Sequence, residues 1–416
     1  MKSDMKKAVL AALFANLVVW ILMILVAEKS LASAGSLPGP KDEATLDQTG
    51  PDIFDSYLQS EISPADGFDF PVGNSNGRGS YRDKRSRQKH NGWYVATEFG
   101  DKISLGIHPG EDWNGKGGGN TDLGQPVHSI GNGKVVFAED CGALWGKVVI
   151  IQHVFYENHF KKRIRSVYVH LDNILIKKGE LVKRRKIIGS IGRDPDHHYY
   201  AHLHLELRWN ENLSPTFWPS SNSKSLDWIR QNYAEPSSFI KSHRKLFVPH
   251  KEKQLVLIDQ SGYQMRHYKN GKKVGEYAVS FGQAKGKKIK RGDNKTPKGM
   301  YFVIDKRRGE FSGDYGAYYG GHWIKINYPN RYDAQRGRKL GFISAIRENE
   351  IRRDWRRRKP TYGKSKLGGG IGFHGWIEEW EDKGPRHLSW GCIVMHNRDI
   401  KGFYEQIPKG SMVVIF

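Results

Sequence analysis

Apolar and polar residues follow one another along this chain in two distinct patterns. Residues 8–27 form an uncharged apolar run, and about 20 helical residues at about 1.5 Å each span roughly 30 Å, the thickness of the hydrocarbon core of a bilayer. From Phe68 onward, short runs of β-branched residues are separated by glycine turns, as in 133–138 and 146–152. Many short strands with such punctuation predict an antiparallel all-β region.

A second strand-rich region begins at 255–258 and ends at 412–415. Within it, Asn270-Gly271 predicts a two-residue hairpin turn between two strands. Between the two β regions, the segment 226–242 contains a predicted helix at 227–231, with Pro236 as a break near its end. The predicted fold class is therefore mainly β, with an amino-terminal transmembrane helix.

The chain has 416 residues, which is too long for one typical domain and favours two. Ser, Gly, Pro and Asp are frequent before residue 67, and this composition predicts a flexible tether. A short basic interval separates the two β regions. The predicted organisation is a membrane anchor or signal segment (1–34), a flexible tether (35–67), a first domain (68–245), a linker (246–253) and a second domain (254–416).

The formal net charge is +23, from 67 basic and 44 acidic residues. Such an excess favours polyanions, so nucleic acid, anionic lipid and an acidic cell-wall polymer are the possible partners. Lys2, Lys6 and Lys7 precede the apolar run, and basic residues on the short side of a membrane helix place that side in the cytoplasm. The remainder is then exported, and since the sequence also contains no recognisable nucleic-acid module, nucleic acid is not expected as a partner.

Two alternatives stand for the apolar segment. As an uncleaved helix it anchors the protein in the inner membrane, with the two domains in the periplasm. The sequence Ala32-Ser33-Ala34 also fits a signal-peptidase site, and cleavage near Ala34 would release a secreted protein. The length of the run favours the anchor, because the core of a signal peptide usually spans about 7–15 residues. Either alternative predicts a location in the cell envelope or outside the cell.

Three residues of the first domain form a possible metal site. Zinc in hydrolases takes three nitrogen or oxygen ligands and keeps one position open, and His108, Asp112 and His204 supply such a set. Period-two alternation around His202 and His204 predicts a strand that carries both side chains on one face. A lone His-x-His pair is more often a pair of surface histidines, so the surrounding motifs decide.

Those motifs resemble the M23 (LytM/lysostaphin-type) metallopeptidases over roughly residues 68–245. The resemblance is carried, in order, by 106–113, 131–136, 168–171, 178–182 and 201–206. It implies a Gly-rich antiparallel β-sandwich in which His108, Asp112 and His204 hold Zn2+. It also implies that His170 and His202 orient the attacking water and stabilise the tetrahedral oxyanion, in a peptidase that cuts peptide cross-links.

The second domain contains a possible cysteine nucleophile. Cys392 follows His374 by eighteen positions, and glycines lie next to both. A nucleophilic cysteine needs a histidine that favours its thiolate and an oxyanion hole of backbone N–H groups. The other cysteine is Cys141, and both are predicted to be unpaired, because a disulfide between them would block the nucleophile.

The second domain resembles the YkuD-type L,D-transpeptidases over about residues 252–416. The resemblance is carried by 292–301, 326–330 and 389–400. It implies a mostly β domain with a cradle-like mixed sheet, with Cys392 as the acylated nucleophile and His374 as its base. The Gly375 carbonyl is expected to orient the imidazole ring, and the Gly391 and Cys392 amides are the expected oxyanion donors.

Two positions depart from the common pattern of this family. Trp390 and Val394 stand where the pattern has histidine and arginine. The missing arginine removes a cation that could recognise a substrate carboxylate. Arg386, His387 and the basic run 352–358 are the possible replacements.

Together the two resemblances imply a bifunctional enzyme of peptidoglycan remodelling. Its zinc endopeptidase would cut cross-links, and its L,D-transpeptidase would act on stem peptides through a Cys392 thioester. The expected partners are stem peptides and cross-links, the inner membrane and other cell-wall enzymes. Two alternatives stay open: both domains hydrolyse, as an L,D-carboxypeptidase or amidohydrolase that releases wall-bound groups, or the protein is a non-catalytic, wall-binding regulator.

Overall fold

The computed structural model describes residues 52–142, 144–194, 199–313, 316–384 and 386–416. From Asp52 to Phe416 the chain forms one compact unit. The apolar run 8–27, the possible cleavage site near Ala34 and the tether up to residue 51 lie outside the described residues. Within the described ranges, no helix is both long enough and apolar enough to cross a bilayer.

The described chain is mainly β, which confirms the predicted class. A short helix, α1 (Ile53–Leu58), precedes the first domain. The elements that follow are β1 (Ser80–Arg82), β2 (Lys89–Asn91), β3 (Trp93–Thr97), β4 (Lys102–Ile103), β5 (Gly106–Ile107), β6 (Glu111–Gly115), β7 (Pro126–His128), β8 (Gly133–Asp140), β9 (Lys147–Glu157), β10 (Phe160–Ile174), β11 (Leu181–Val182), β12 (Ile187–Ile191), β13 (Leu203–Arg208), α2 (Leu226–Asn232), β14 (Tyr233–Ala234) and α3 (Pro236–Ser242).

One ten-stranded sheet carries the first domain. Its main path is β11-β8-β9-β10-β13-β6-β3, while β12 joins β10 to β7 and β14 pairs with β13. The three leucines of β13 belong to the hydrophobic core. Successive strand residues point to opposite faces, so His204, Glu206 and Arg208 share the other face of this central strand.

The helix predicted at 227–231 is confirmed by α2, and the same segment contains a second helix, α3, that the sequence analysis does not predict. The Ser225 hydroxyl caps α2 by accepting a hydrogen bond from the Trp228 amide. Pro236 begins α3. At the first position of a helix, proline has no required N–H to lose and its fixed φ is already helical. Pro236 therefore starts a helix, where the prediction had it end one.

The elements of the second domain are β15 (Gln254–Asp259), β16 (Gln264–Lys269), β17 (Lys272–Ala278), β18 (Phe281–Gly282), β19 (Gly299–Arg308), β20 (His322–Ile326), α4 (Arg331–Lys339), α5 (Ala345–Arg356), β21 (Gly372–His374), β22 (His387–Ser389), β23 (Ile393–Val394), α6 (Asn397–Gln406) and β24 (Met412–Ile415). Eight of these strands form a mixed sheet of order β17-β16-β15-β24-β19-β20-β21-β23. In this sheet β15 pairs in parallel with β24, and β21 pairs in parallel with β23. The hairpin prediction is confirmed, since Asn270 and Gly271 join β16 to β17 with φ of 50° and 75°.

The basic interval 331–356 forms α4 and α5, two helices that the sequence analysis does not predict. Asn330 caps α4 in a capping box with Asp333, and the Ser344 hydroxyl caps α5. Only Ile351 and Trp355 of α5 are buried. Two apolar positions among many charged ones give a weak helical period, which explains why the pattern was missed.

Residues 52–67, predicted as part of a flexible tether, instead pack onto the folded unit. Phe54 is fully buried and Tyr57 is 8% exposed. The Tyr57 ring stacks on that of Phe416 with centroids 5.1 Å apart, and Arg266 pairs with Asp52 at 2.7 Å. Burial of these two aromatic side chains stabilises a segment whose polar composition suggested a linker.

The two domains share a packed boundary. Tyr156, near the end of β9, belongs to a buried cluster made mostly of second-domain residues, and its hydroxyl donates to the Tyr57 carbonyl at 2.7 Å. Asn158, at the tip of the β9–β10 hairpin, accepts from the Met300 amide at 3.1 Å and from Asn330 Nδ2 at 2.9 Å. The hairpin of the first domain is thus held by backbone and side-chain groups of the second.

Candidate active sites

In the first domain, strand pairing brings a histidine–aspartate–histidine group together. Strand β13 lies between β6 and β10, and His204 is the register partner of Asp112 on β6. His108 comes directly after β5 and four residues before Asp112. Cross-strand partners lie about 5 Å apart, so the register itself sets His204 beside Asp112.

The three side chains direct one ligand atom each toward a common point. His108 Nε2 lies 2.9 Å from His204 Nδ1 and 3.1 Å from Asp112 Oδ1. His204 Nδ1 lies 2.8 Å from Asp112 Oδ1. Tetrahedral zinc with ligands at about 2.0–2.1 Å separates its ligand atoms by about 3.3 Å. The observed spacing therefore suits zinc after a small outward adjustment.

The far nitrogen of each histidine is held by an acceptor. His108 Nδ1 donates to the Glu98 carbonyl, and His204 Nε2 donates to Glu206 Oε1, both at 3.2 Å. Glu206 is fully buried and pairs with Arg208. The near nitrogens consequently face the Asp112 carboxylate, where each can hold a proton or ligate a cation. Three converging acceptors require a cation or a proton between them, and outer-shell acceptors of this kind are typical of metal-binding histidines.

Hydrogen bonding outweighs burial in setting the charges of this group. Burial opposes ionisation of Asp112, but hydrogen bonds from His108 and His204 hold the pKa of its carboxyl far below the usual range. Burial also opposes the charged form of His204, yet its bonds to Asp112 and Glu206 raise its pKa to about 9. Burial opposes ionisation of Glu206 as well, but Arg208 and His204 lower its pKa to about 2, so both carboxylates are ionised at neutral pH.

His202 and His170 flank the group. His202 Nε2 lies 3.8 Å from Asp112 Oδ1, and its Nδ1 donates to the Tyr200 carbonyl at 2.8 Å. His170 has φ of 62° where β10 shifts register against β9, and its ring centroid is 4.7 Å from that of His202. Its Nδ1 is buried and has no hydrogen-bond partner within the part of the chain that the structure describes. Burial lowers the pKa of both histidines, so each is neutral and can accept a proton.

Several side chains at this centre were missed by the sequence analysis. The Tyr199 ring lies 4.4 Å from that of His170, and the Trp218 ring lies 6.0 Å from that of His204. Both belong to loops and have no local signature. Glu206 did have one, because it follows His204 at the period of two that places alternate strand residues on one face.

In the second domain, parallel pairing of β21 and β23 brings His374 toward Cys392. His374 is the register partner of Val394, two residues beyond Cys392. Both side chains line one cleft of about 350 Å³ together with Tyr318 and Trp390. Cys392 and Cys141 are both free thiols, which confirms that prediction.

The His374 ring is held from several sides. Its Nδ1 donates to the Gly375 carbonyl at 2.7 Å and to the Tyr318 carbonyl at 3.2 Å. The rings of Trp323 and Trp376 lie within 30° of its plane, at 5.9 and 6.2 Å. Burial among these rings lowers the pKa of His374 to about 4. At neutral pH the ring is uncharged, and Nε2 is the nitrogen that can take a proton.

The Cys392 thiol is protonated at neutral pH. Burial raises its pKa to about 11, although the Gly372 amide and the charge of Lys288 act in the opposite direction. Its Sγ donates weakly to the Gly370 carbonyl at 3.6 Å. The resting pair is therefore a thiol and a neutral imidazole rather than a thiolate–imidazolium pair.

The Gly391 amide, predicted as an oxyanion donor, has a hydrogen-bond partner in the resting structure, and its catalytic role stays a prediction. It donates to Ser389 Oγ at 3.2 Å, and that hydroxyl donates to the Cys392 carbonyl at 2.7 Å. Gly391 has φ of 125°, and a Cβ there would lie 2.9 Å from the Lys295 carbonyl oxygen. Glycine is needed for the turn itself. The Cys392 amide stays a predicted donor as well.

Family models match each of the two domains. Residues 107–215 match peptidase family M23, and residues 253–415 match the YkuD L,D-transpeptidase catalytic domain. The chain therefore contains an M23 peptidase domain and a YkuD L,D-transpeptidase domain. The two domains support an enzyme that acts on peptidoglycan, and the M23 domain suggests zinc for the His108–Asp112–His204 group.

Curated relatives and solved structures match parts of the chain. The peptidoglycan DD-endopeptidase ShyB of Vibrio cholerae is 39% identical over 90 residues, which cover 21% of this chain and 18% of ShyB. The lipoprotein NlpD of Yersinia enterocolitica is 31% identical over 86 residues, which cover 21% of this chain and 79% of NlpD. A crystal structure of a zinc-containing peptidase from Vibrio cholerae is 27% identical in sequence to this chain. The match covers 34% of this chain and 36% of the peptidase chain, with a TM-score of 0.24.

The YkuD cleft has basic residues other than those predicted to replace the missing arginine. Arg386 lies over the rings of Tyr263 and Trp380, and it does not line the cleft. Residues 352–358 belong to α5 and the turn after it, at the boundary between the domains. The basic side chains that line the cleft among the described residues are Lys288 and Arg291.

We expect Glu206→Gln to lower the affinity of the M23 centre for zinc by about 10- to 100-fold, because the His204 ring loses the anion that orients it. Competition with a chromogenic chelator measures this affinity. Glu206→Gln leaves Arg208 buried beside a neutral side chain, so Glu206→Gln/Arg208→Met, which removes both charges, is the matched control for folding. Unchanged affinity in both folded variants would show that Glu206 does not support the ligand.

Proposed function

We propose that this protein is a bifunctional enzyme of peptidoglycan remodelling, a zinc endopeptidase joined to a cysteine L,D-transpeptidase. The proposal is carried by one observation. A single compact unit contains both a His–Asp–His group with the spacing of a zinc site and a cysteine that shares a cleft with a neutral histidine. Each group matches the chemistry of the family to which its domain belongs.

In the M23 domain, His108, Asp112 and His204 would hold zinc. When bound there, zinc supplies Lewis-acid chemistry that polarises a scissile carbonyl and makes water more acidic. His202 has its Nδ1 proton directed to the Tyr200 carbonyl, so Nε2 can take a proton from the attacking water and return it to the leaving amine. His170, neutral and unpartnered at Nδ1 among the described residues, can hydrogen-bond the reacting groups.

In the YkuD domain, Cys392 Sγ would attack the carbonyl of an L,D-peptide bond. His374 Nε2 takes the thiol proton as the S–C bond forms, and the Cys392 amide can donate to the oxyanion. The C–N bond then breaks, and the departing amine of the D-residue takes the proton from His374. The acyl group of the thioester then passes to an amine, which forms a new cross-link, or to water, which releases a trimmed stem. His374 Nε2 takes a proton from the attacking group, and as the S–C bond breaks that proton returns to Cys392 Sγ.

The packed boundary between the domains supports a coupled function. Binding energy at either centre holds the same wall segment near the other, which raises its effective concentration there. A protein that cuts one linkage and forms another benefits from this proximity, because the freed stems stay within reach of Cys392.

We place the protein in the cell envelope. The relative NlpD is named a lipoprotein, the substrate of both families is a wall polymer, and the amino-terminal sequence contains the apolar run preceded by lysines. The net charge of +23 favours adhesion to acidic envelope polymers. Protease protection of the full chain in intact cells and in cells with a permeabilised outer membrane tests this location.

The function is tested by mass spectrometry of muropeptides after purified sacculi are digested with the full chain. We expect the wild type to lose existing cross-linked dimers and to form new ones. Cys392→Ala should remove only the new dimers, and His202→Ala only the loss of old ones. If stems are trimmed and dimers disappear with no new linkage, both domains are hydrolases. If sacculi are unchanged although the protein binds them, the non-catalytic alternative holds.

A further inference from the structure

A second cleft, distinct from both reaction centres, lies between the two domains. It has a volume of about 780 Å³. The tip of the β9–β10 hairpin, with His159 and Phe160, forms the wall on the first-domain side. On the other side the wall comes from the loop around 286–288, Lys298 and one side of α4. Neither domain alone encloses this space.

The cleft has an excess of positive charge that no ion pair among the described residues neutralises. Lys287, Lys298 and Lys339 line it, are exposed, and form no ion pair among the described residues. Its two carboxylates are already occupied. Glu157 pairs with Lys162 and with His243, and Asp333 is buried against Arg336. The three lysines therefore have only solvent or a ligand to balance them.

Burial and the charge of two of these lysines lower the pKa of a neighbouring side chain, His159. Burial and the charges of Lys298 and Lys287 together lower the pKa of His159 to about 4. His159 is thus a neutral ring beside the lysines, and its centroid lies 3.9 Å from that of Phe160, which is 55% exposed. The cleft offers apolar ring surface next to unbalanced cations.

The loop that carries Lys287 is held in place. Lys288 is buried and pairs with Asp293 at 2.7 Å. Asp293 Oδ2 also accepts from the amides of Ile289 and Lys290, at 2.7 and 3.0 Å. Lys288 lines both this cleft and the cleft of Cys392. One rigid loop therefore forms part of the wall of two neighbouring cavities.

We propose that the interdomain cleft binds the carboxylate-bearing stem peptides of peptidoglycan, and so presents a glycan strand to the adjacent cysteine cleft. The identity of the ligand rests on the proposed function. The ammonium groups of the three lysines match free stem carboxylates, and the Phe160 and His159 rings offer a face to a sugar or an apolar side chain. A recess between two domains suits a linear polymer better than it suits the flat surface of an anionic membrane.

The test measures binding without turnover. The full chain with Cys392→Ala and His202→Ala is cosedimented with purified sacculi. Lys287→Gln/Lys298→Gln/Lys339→Gln is added to this background. The matched control is Lys253→Gln/Lys272→Gln/Lys401→Gln, three exposed lysines that line neither cleft. Both triple variants remove the same charge, so general attraction falls equally in both.

We expect the cleft variant to weaken binding at least about tenfold and the control variant less than about threefold, because only the first removes direct contacts. The carboxylates of a second sample of sacculi are converted to methylamides. The doubly inactivated chain with its lysines intact should bind these sacculi as weakly as the cleft variant binds native sacculi. An equal loss in both triple variants would overturn the proposal in favour of unspecific adhesion. The same variants are also cosedimented with vesicles of anionic phospholipid. If the cleft variant binds sacculi normally and loses binding only to these vesicles, the proposal is overturned in favour of a lipid head group. The binding test uses a chain in which both centres are inactive, so its result does not depend on whether either centre is catalytically active in the muropeptide assay.

Discussion

Acylation of Cys392 by a carbapenem should be independent of pH from about 5 to 9 in the wild type and strongly pH-dependent in His374→Ala. The pKa of His374 is lowered to about 4 and that of Cys392 is raised to about 11. Between these values the base is always neutral and the thiol always protonated, so the reactive pair keeps one protonation state. The rate constant of adduct formation, followed by intact-protein mass, measures this.

His374→Ala removes the base, and only the small fraction of spontaneously formed thiolate can then react. We expect a rate about 100- to 10,000-fold lower at pH 7, the usual range for general-base catalysis. The rate should rise about tenfold per pH unit, because the thiolate fraction does so below its pKa. His250→Ala, which replaces an exposed histidine outside the cleft, should behave like the wild type. A wild-type rate that falls as the pH drops through about 6–7 would instead show that the group controlling the rate titrates near the ordinary pKa of histidine, and would contradict the lowered pKa of His374.

His204→Ala and His202→Ala should separate metal binding from proton transfer in the M23 centre. His204 Nδ1 lies within 3 Å of both other ligand atoms, so its loss should reduce zinc from about one ion per chain to almost none. The Nε2 atom of His202 lies 3.8 Å from Asp112 Oδ1, farther than the three proposed ligand atoms lie from one another. Its loss should leave zinc bound and lower cross-link cleavage about 100- to 10,000-fold.

Elemental analysis of dialysed protein and cleavage of a purified cross-linked dimer give the two measurements. Carbapenem acylation of Cys392 should be unchanged in both variants, and this serves as the control for folding of the second domain. Equal loss of zinc from both variants would make His202 a ligand. Full zinc content in His204→Ala would remove His204 from the ligand set.

The sequence alone determined those features that depend on local rules. Period-two alternation predicted His204 on one side of a strand, although the strand β13 begins at Leu203 and His202 lies directly before it. The Asn270-Gly271 turn followed from the φ values that these residues tolerate. The motifs around His108 and Cys392 were enough to identify both families. The same alternation rule also places Glu206, two residues beyond His204, on that side of the strand.

The tertiary structure decided whatever depends on partners distant in sequence. Phe54 and Tyr57 pack beside a chain end more than 350 residues away, and no local pattern shows that a polar-rich segment will be buried there. Glycine is required at position 391 because a Cβ there would lie 2.9 Å from the carbonyl oxygen of Lys295, almost 100 residues earlier in the chain. The cleft of Lys287, Lys298 and Lys339 exists only because the β9–β10 hairpin docks against the second domain. Hydrogen-bond and turn preferences act over a few residues, whereas burial and unbalanced charge depend on the surfaces that folding brings together.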